Sequence, residues 1–134
     1  MGACYSRSSV AVSSASSTIS YKAKKSLAKR REETDLVKSR FPNKLPVIIE
    51  RHYKETVLPE IEKNKFLVPR EATMMQLLAV LRNRLNLRHG HNLFFLINGR
   101  TLAAADEAII EVYEKHADND GFLYLTYTSQ ESFG

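Results

Sequence analysis

Cysteine is nearly absent from this 134-residue sequence, which contains only Cys4. A single cysteine cannot form an intramolecular disulfide or a cysteine-based zinc cluster. No apolar run is long enough to cross a bilayer, and no apolar segment follows a basic start as it would in a secretory signal. The composition therefore favours one globular domain with a tail, in a reducing intracellular compartment.

Acidic residues are missing from the N-terminal part. The first 31 residues contain seven basic residues and no acidic one, although the whole chain has 20 basic and 15 acidic residues and a net charge of +5. The positive excess therefore belongs to the N-terminal segment, where acidic lipid or acidic protein would be attracted. We expect a basic N-terminal surface made of Lys24, Lys25, Lys29, Arg30 and Arg31. No aromatic interleaving marks a base-stacking surface, so no nucleic-acid partner is expected.

Groups that could perform catalysis are also scarce. The four histidines, His52, His89, His91 and His116, do not have the spacing of metal ligands, and no arrangement of Ser, His and acid is suggested. The sequence predicts no metal, no cofactor and no enzymatic activity.

The N-terminal third divides into a tail and a helical segment. Residues 1–20 are rich in serine and lack an apolar period, which predicts a disordered tail. Residues 21–43 form a helical subdomain in this interpretation, with one or two short helices between Lys22 and Phe41 and a stop at Pro42. The remaining residues, 44–134, are expected to form the main domain.

Strand and helix signals alternate in the main domain. KLPVIIERHY (residues 44–53) and KFLVP (65–69) have the composition of strands, and their prolines favour edge or end positions. Thr73 is an N-cap candidate before an amphipathic helix, and Asn98-Gly99 predicts a tight hairpin after LFFLI. A second helix is expected to start at Asp106 and Glu107, followed by a turn at 118–121 and a last strand, FLYLTYT. This order is typical of a mixed sheet covered on one face by helices, the β-grasp arrangement.

Three separated segments, PNKLPVIIER, KFLVP and DGFLYLTYTSQESFG, resemble the autophagy ubiquitin-like modifiers, the family of microtubule-associated light chain three and GABARAP. The resemblance runs from about Tyr21 to Gly134, and the basic pair Lys24-Lys25 and the SQESFG ending are closer to the light chain three branch. It implies an α+β fold, a ubiquitin-like β-grasp with two additional N-terminal helices.

The resemblance also implies a conjugation reaction. Gly134 matches the residue that is joined to phosphatidylethanolamine on autophagosomal membranes, which places the protein in the cytoplasm and, when lipidated, on the autophagosome. The implied partners are ubiquitin-like activating and conjugating enzymes and a deconjugating cysteine protease. No residue follows Gly134, so either the chain is ready for activation or it has been trimmed to that state.

A second implied activity is the binding of cargo receptors and adaptors through linear motifs in which an aliphatic residue follows three positions after an aromatic one. KFLVP can serve as an exposed edge strand to which such a peptide adds. By family correspondence the aromatic pocket would contain Glu33, Val37, Pro46, Ile48, Lys65, Leu67 and Phe122. The aliphatic pocket would contain Phe66, Val68, Pro69, Leu77, Val80, Leu81 and Arg84.

The N-terminus carries a separate pattern. MGACYS satisfies the myristoylation motif at Gly2, with Cys4 placed for palmitoylation, although a transit peptide or a flexible tail would also fit. One acyl chain binds membranes only marginally, whereas a second chain or a polybasic patch makes attachment stable. The alternative function is therefore a ubiquitin-like docking module that is not conjugated and is held on a membrane, or on microtubules, by its N-terminal segment.

Overall fold

A computed structural model describes residues 20–88 and 90–130. Two helices come first in the described chain, followed by strands and helices in alternation. In chain order the elements are α1 (Tyr21–Lys24), α2 (Leu27–Arg40), β1 (Lys44–Arg51), β2 (Lys65–Pro69), α3 (Met74–Arg84), β3 (Phe94–Ile97), β4 (Thr101–Leu102), α4 (Ile109–His116) and β5 (Leu123–Thr128).

The five strands form one mixed sheet in the order β2-β1-β5-β3-β4. β1 and β5 are parallel at its centre, and the other neighbouring pairs are antiparallel. Parallel strands need a long crossover, and the helices between β1 and β5 provide it. The mixed sheet predicted from the order of the elements is confirmed.

The inner strand β1 buries both of its faces, so helices cover the sheet on two sides and not on one as predicted. Val47 and Ile49 belong to the main core with α3 and α4, whereas Ile48 packs with Tyr21 of α1. Because successive side chains of a strand point to opposite faces, α1 and α3 lie on opposite sides of the sheet.

The start of α3 follows its sequence signal. The Thr73 side chain accepts a hydrogen bond from the Gln76 amide at 3.1 Å, and the Gln76 side chain accepts one from the Thr73 amide at 2.9 Å. This capping box satisfies two amides that the helix itself cannot pair. The predicted N-cap is confirmed.

The predicted start of α4 at Asp106 and Glu107 is wrong, because the helix begins at Ile109. The preceding residues instead pair with the beginning of α3. The Met74 amide donates to the Glu107 carbonyl at 2.9 Å, and the Ile109 amide donates to Ala72 at 2.7 Å. These tertiary bonds keep the Asp106-Glu107 segment out of the helix despite its favourable acidic charge.

The hairpin between β3 and β4 has the predicted turn. Asn98 and Gly99 both have positive φ, 54° and 76°, and the Arg100 amide donates to the Ile97 carbonyl at 3.1 Å. A type I′ turn, whose twist matches that of paired strands, requires positive φ at both of its central residues. Asn-Gly tolerates these φ values.

Helix α2 is attached to the sheet mainly by polar contacts. Asp120, whose side chain is fully buried, accepts hydrogen bonds from Arg30 at 2.7 Å and from the Tyr124 hydroxyl at 2.6 Å. The buried Thr34 hydroxyl donates to the Asp120 carbonyl at 2.7 Å. These bonds fix α2 beside the turn that precedes β5. Across residues 20–88 and 90–130, none of the helices has the length and apolarity needed to cross a membrane.

Candidate functional site

Among the described residues, β2 is an edge strand that pairs only with β1. The Arg70 amide donates to the Asn43 carbonyl, and the Ile49 amide donates to the Asn64 carbonyl. Asn43 with Arg70 and Ile49 with Asn64 are therefore hydrogen-bonded pairs in the register of the antiparallel ladder. In an antiparallel ladder, hydrogen-bonded pairs alternate with pairs that exchange no hydrogen bond. By this alternation, Pro46 and Leu67 form a pair without hydrogen bonds between them. The backbone groups of Leu67 therefore point away from β1, towards the open edge of the sheet.

The side chains of β2 alternate as predicted. Phe66 and Val68 are buried in the main core, whereas Leu67 is 43% exposed and Lys65 is half-buried. The edge strand therefore presents an apolar side chain and a cation next to open backbone groups. An extended peptide can use this combination, since backbone bonds supply affinity and side-chain contacts supply specificity.

A charged cluster lies at the Lys65 end of β2. The Glu33 carboxylate of α2 accepts from Lys25 at 2.5 Å, from Lys65 at 3.3 Å and from the hydroxyl of Tyr21. Burial raises the pKa of Glu33, but the hydrogen bonds from Lys25 and Tyr21 and the charge of Lys65 lower it more, so its pKa lies below the ordinary value. The carboxylate stays ionised and holds the two lysines near the edge of the sheet.

Two of the residues expected in the aromatic pocket are buried against Tyr21, a residue that the sequence analysis did not assign to this region. Ile48 is fully buried and Phe122 is 2% exposed, and both pack beneath Tyr21. The rings of Tyr21 and Phe122 meet edge to face, with centroids 5.4 Å apart. The structure thus brings Glu33, Lys65, Ile48 and Phe122 into one region through Tyr21. No spacing pattern could have found Tyr21, because its partners are distant in the chain.

The other expected members of the aromatic pocket border this region. Val37 is half-buried on α2, one turn after Glu33, and Pro46 is buried in β1 opposite Leu67. The residues expected in the aromatic pocket thus lie on α2, β1 and β2 and on the residue before β5.

The residues expected in the aliphatic pocket lie on β2 and α3. Four of its predicted residues are buried in the main core, namely Phe66, Val68, Leu77 and Leu81. Its surface consists of Val80, which is 45% exposed, together with Arg84 and Pro69. The Arg84 guanidinium lies 4.8 Å from the centroid of the Phe66 ring, where the ring face attracts a cation. Arg84 is therefore held at the rim of this region.

Some residues of the predicted basic N-terminal surface are exposed in the structure, and the others form bonds within the fold. Lys24 and Lys29 are exposed. Arg30 is instead engaged with Asp120, Lys25 with Glu33, and the Arg31 side chain with the Asn119 carbonyl at 3.3 Å. Much of the positive charge counted in the sequence is thus used to attach α2 and to order the Glu33 cluster.

The three predicted modification positions, Gly2, Cys4 and Gly134, lie outside the described residues. His89 also lies outside them. The base of the C-terminal tail is described as far as Gln130. The Ser129 amide and hydroxyl both donate to the Glu55 carboxylate, at 2.7 Å and 3.0 Å. The sequence analysis did not identify Glu55.

Comparison with known proteins gives consistent matches. Residues 29–134 match the family model described as "Autophagy protein Atg8 ubiquitin like". The chain is 46% identical to human "Microtubule-associated protein 1 light chain 3 gamma" over 114 residues, which are 85% of this chain and 78% of that protein. It is 37% identical to "Protein lgg-2" of Caenorhabditis elegans over 115 residues, 86% of this chain and 88% of that protein.

A solved structure shares the fold. The crystal structure of Trypanosoma brucei ATG8 matches with a TM-score of 0.79 and 34% sequence identity, over 87% of this chain and 98% of that one. This match confirms the predicted α+β class, a ubiquitin-like β-grasp with two N-terminal helices.

Proposed function

This chain belongs to the Atg8 family of ubiquitin-like autophagy proteins, and from this premise we propose that it is conjugated through Gly134 to phosphatidylethanolamine on autophagosomal membranes. Lipid conjugation and a role at the autophagosome are the function of this family, whose members are ubiquitin-like modifiers and not enzymes. Interaction with the conjugation machinery and with cargo receptors follows from membership.

The chemistry requires a free carboxylate at Gly134. That carboxylate would attack the α-phosphate of ATP and release pyrophosphate, and the acyl group would then pass to an enzyme thiol with loss of AMP. The amine of phosphatidylethanolamine would attack the thioester, so that an amide forms as the thiol leaves. Glycine suits these steps because it has no Cβ and can enter a narrow active site. A cysteine protease would hydrolyse the same amide and release the protein from lipid.

The open edge of β2 is the observation that supports cargo-receptor binding best. A motif peptide would form backbone bonds with Leu67, with its aromatic side chain near Tyr21 and Glu33 and its aliphatic side chain near Val80. Acidic residues beside the motif would pair with Lys65 of β2 and with Arg84 of α3, whose guanidinium lies over the Phe66 ring. In this proposal the conjugated tail and the motif-binding edge are separate sites.

Two substitutions test whether the sites are separate. Gly134→Ala should abolish ATP-dependent attachment to phosphatidylethanolamine vesicles and leave the affinity for an aromatic-x-x-aliphatic peptide unchanged. Leu67→Pro should weaken the peptide at least tenfold, because it removes an N–H that points away from β1, and should leave conjugation in place. Loss of both activities in either folded variant would contradict the assignment.

The N-terminal motif supports a second candidate. Gly2 and Cys4 fit an acylation signal, and the exposed Lys24 and Lys29 supply cations that follow it in the chain. In this candidate the protein is a docking module held on a membrane, or on microtubules, without conjugation. It requires that Gly2→Ala releases the protein from membranes and that Gly134→Ala does not.

A further inference from the structure

Glu55 is a buried carboxylate at the base of the tail that leads to Gly134. The residue is 2% exposed and lies in the segment that connects β1 to β2. One carboxylate oxygen accepts from the amides of Val57 and Leu58 at 3.0 Å and 2.9 Å. The other accepts from the amide and hydroxyl of Ser129 at 2.7 Å and 3.0 Å. One side chain therefore joins this loop to the first residue after β5.

Four donors converge on this carboxylate, and among the described ion pairs none includes Glu55. Burial raises its pKa, but the hydrogen bonds from Ser129, Leu58 and Val57 together outweigh burial and lower the pKa below the ordinary value. Burying a charge is costly unless it is well bonded. A glutamine could accept these donors at one oxygen only, so the position specifically needs a carboxylate.

The bonds to Ser129 determine where the tail leaves the folded body. Thr128 is fully buried and pairs with Phe94, so it belongs to the sheet. Ser129 is the next residue, and Gly134 can lie at most about 18 Å beyond it, given about 3.6 Å per extended residue. A short tail held at its first residue samples fewer directions than one that is free there. Restricting the position of a reacting group in this way raises the rate of transfer.

We propose that Glu55 is a positioning residue for conjugation, holding Ser129 so that the tail presents Gly134 to the enzymes that transfer it. This inference rests on the proposed function of Gly134. Because the hydrogen bonds of the Glu55 carboxylate go to Val57, Leu58 and Ser129, and none of these residues belongs to β2, its effect should be confined to conjugation. Replacement of Glu55 should not change how well the enzymes recognise the folded body. It should therefore lower kcat and leave KM unchanged.

The test compares Glu55→Gln with Glu62→Gln, which makes the same charge change at an exposed position. Transfer is measured with ATP, the activating and conjugating enzymes of the family and phosphatidylethanolamine vesicles. Glu55→Gln should lower kcat at least fivefold, with KM and motif-peptide affinity within twofold of the wild type. Glu62→Gln should match the wild type in all three. A kcat for Glu55→Gln within twofold of the wild type would overturn the proposal.

Amide hydrogen exchange tests the contact itself. In Glu55→Gln the Ser129 amide should exchange at least tenfold faster, whereas the Leu125 amide, in the middle of β5, should be unaffected. Unchanged exchange at Ser129 would also overturn the proposal. If Leu125 loses protection, Ser129→Pro carries the test, because it removes both the amide and the hydroxyl that donate to Glu55 and leaves the bonds to Val57 and Leu58 in place. A wild-type kcat in that variant then contradicts the positioning role.

Failure of the inference can be distinguished from failure of the proposed function. If wild-type protein is conjugated and Glu55→Gln is conjugated equally fast, only the role of Glu55 is wrong. If wild-type protein is not conjugated at Gly134, the proposed function is wrong and the role of Glu55 falls with it.

Discussion

Gly121 and Gly90 form a matched pair that tests how tightly α2 is packed against the turn before β5. Their φ angles are +97° and +96°, so an alanine would meet the same backbone strain at both positions. At Gly90 a Cβ would have nothing within 4 Å. At Gly121 it would lie 2.6 Å from Oγ1 and 2.9 Å from Cβ of Thr34, a buried residue of α2. The difference between the two substitutions therefore isolates this contact.

The expected destabilisation by each alanine follows from the geometry of its site. A left-handed conformation costs an alanine roughly 1–2 kcal/mol, and the lower entropy of its unfolded chain returns about 0.4–1 kcal/mol. Overpacking of a buried contact adds about 1–3 kcal/mol. Gly90→Ala should thus lower the free energy of unfolding by roughly 1 kcal/mol, and Gly121→Ala by about 2–4 kcal/mol. The second value is a large part of the roughly 5–15 kcal/mol of a typical domain.

Urea unfolding at constant m-value measures both changes. Gly121→Ala should also weaken motif-peptide binding, because displacement of Thr34 moves its neighbour Glu33 and the cluster with Lys65. Equal destabilisation of the two variants, within about 0.5 kcal/mol, would refute the close packing of α2 on this turn.

Two further predictions concern single side chains. Burial lowers the pKa of His52, whose Nδ1 accepts from the Lys54 amide at 3.1 Å, so the folded state favours neutral histidine. Its contribution to stability is present above the unfolded pKa of about 6.5 and is lost as pH falls through the lower folded pKa. The free energy of unfolding should decline as pH falls below 6.5 in the wild type and remain flatter in His52→Asn, measured by denaturation at each pH; parallel curves would contradict this. Thr73→Ala should cost about 1 kcal/mol in the same assay by removing the cap of α3, whereas no loss would show that the cap contributes nothing.

Local signals account for the features that the sequence predicted well. The β2 boundaries, the cap at Thr73 and the turn at Asn98-Gly99 each depend on neighbouring residues, and all three are present. The start of α4 was missed because the carbonyl of Glu107 pairs with an amide of α3, a contact between residues 33 positions apart that overrides a local preference.

The candidate site was only partly accessible to sequence reasoning. Counting charges identified Arg30 as part of a basic surface, yet its partner Asp120 is 90 residues away. Tyr21 and Glu55 escaped notice for the same reason, since their roles depend on contacts with Phe122 and Ser129 that only the fold creates. The assignment of Gly134 came from resemblance and not from any physical pattern.

Every role proposed for the C-terminal tail depends on the attachment of lipid to Gly134. The most direct measurement is mass spectrometry of the C-terminal peptide from protein recovered on membranes after autophagy is induced. We predict the mass of phosphatidylethanolamine on Gly134 in the membrane-bound pool and an unmodified peptide in the unbound pool. Membrane-bound protein whose Gly134 is unmodified would contradict conjugation through this residue.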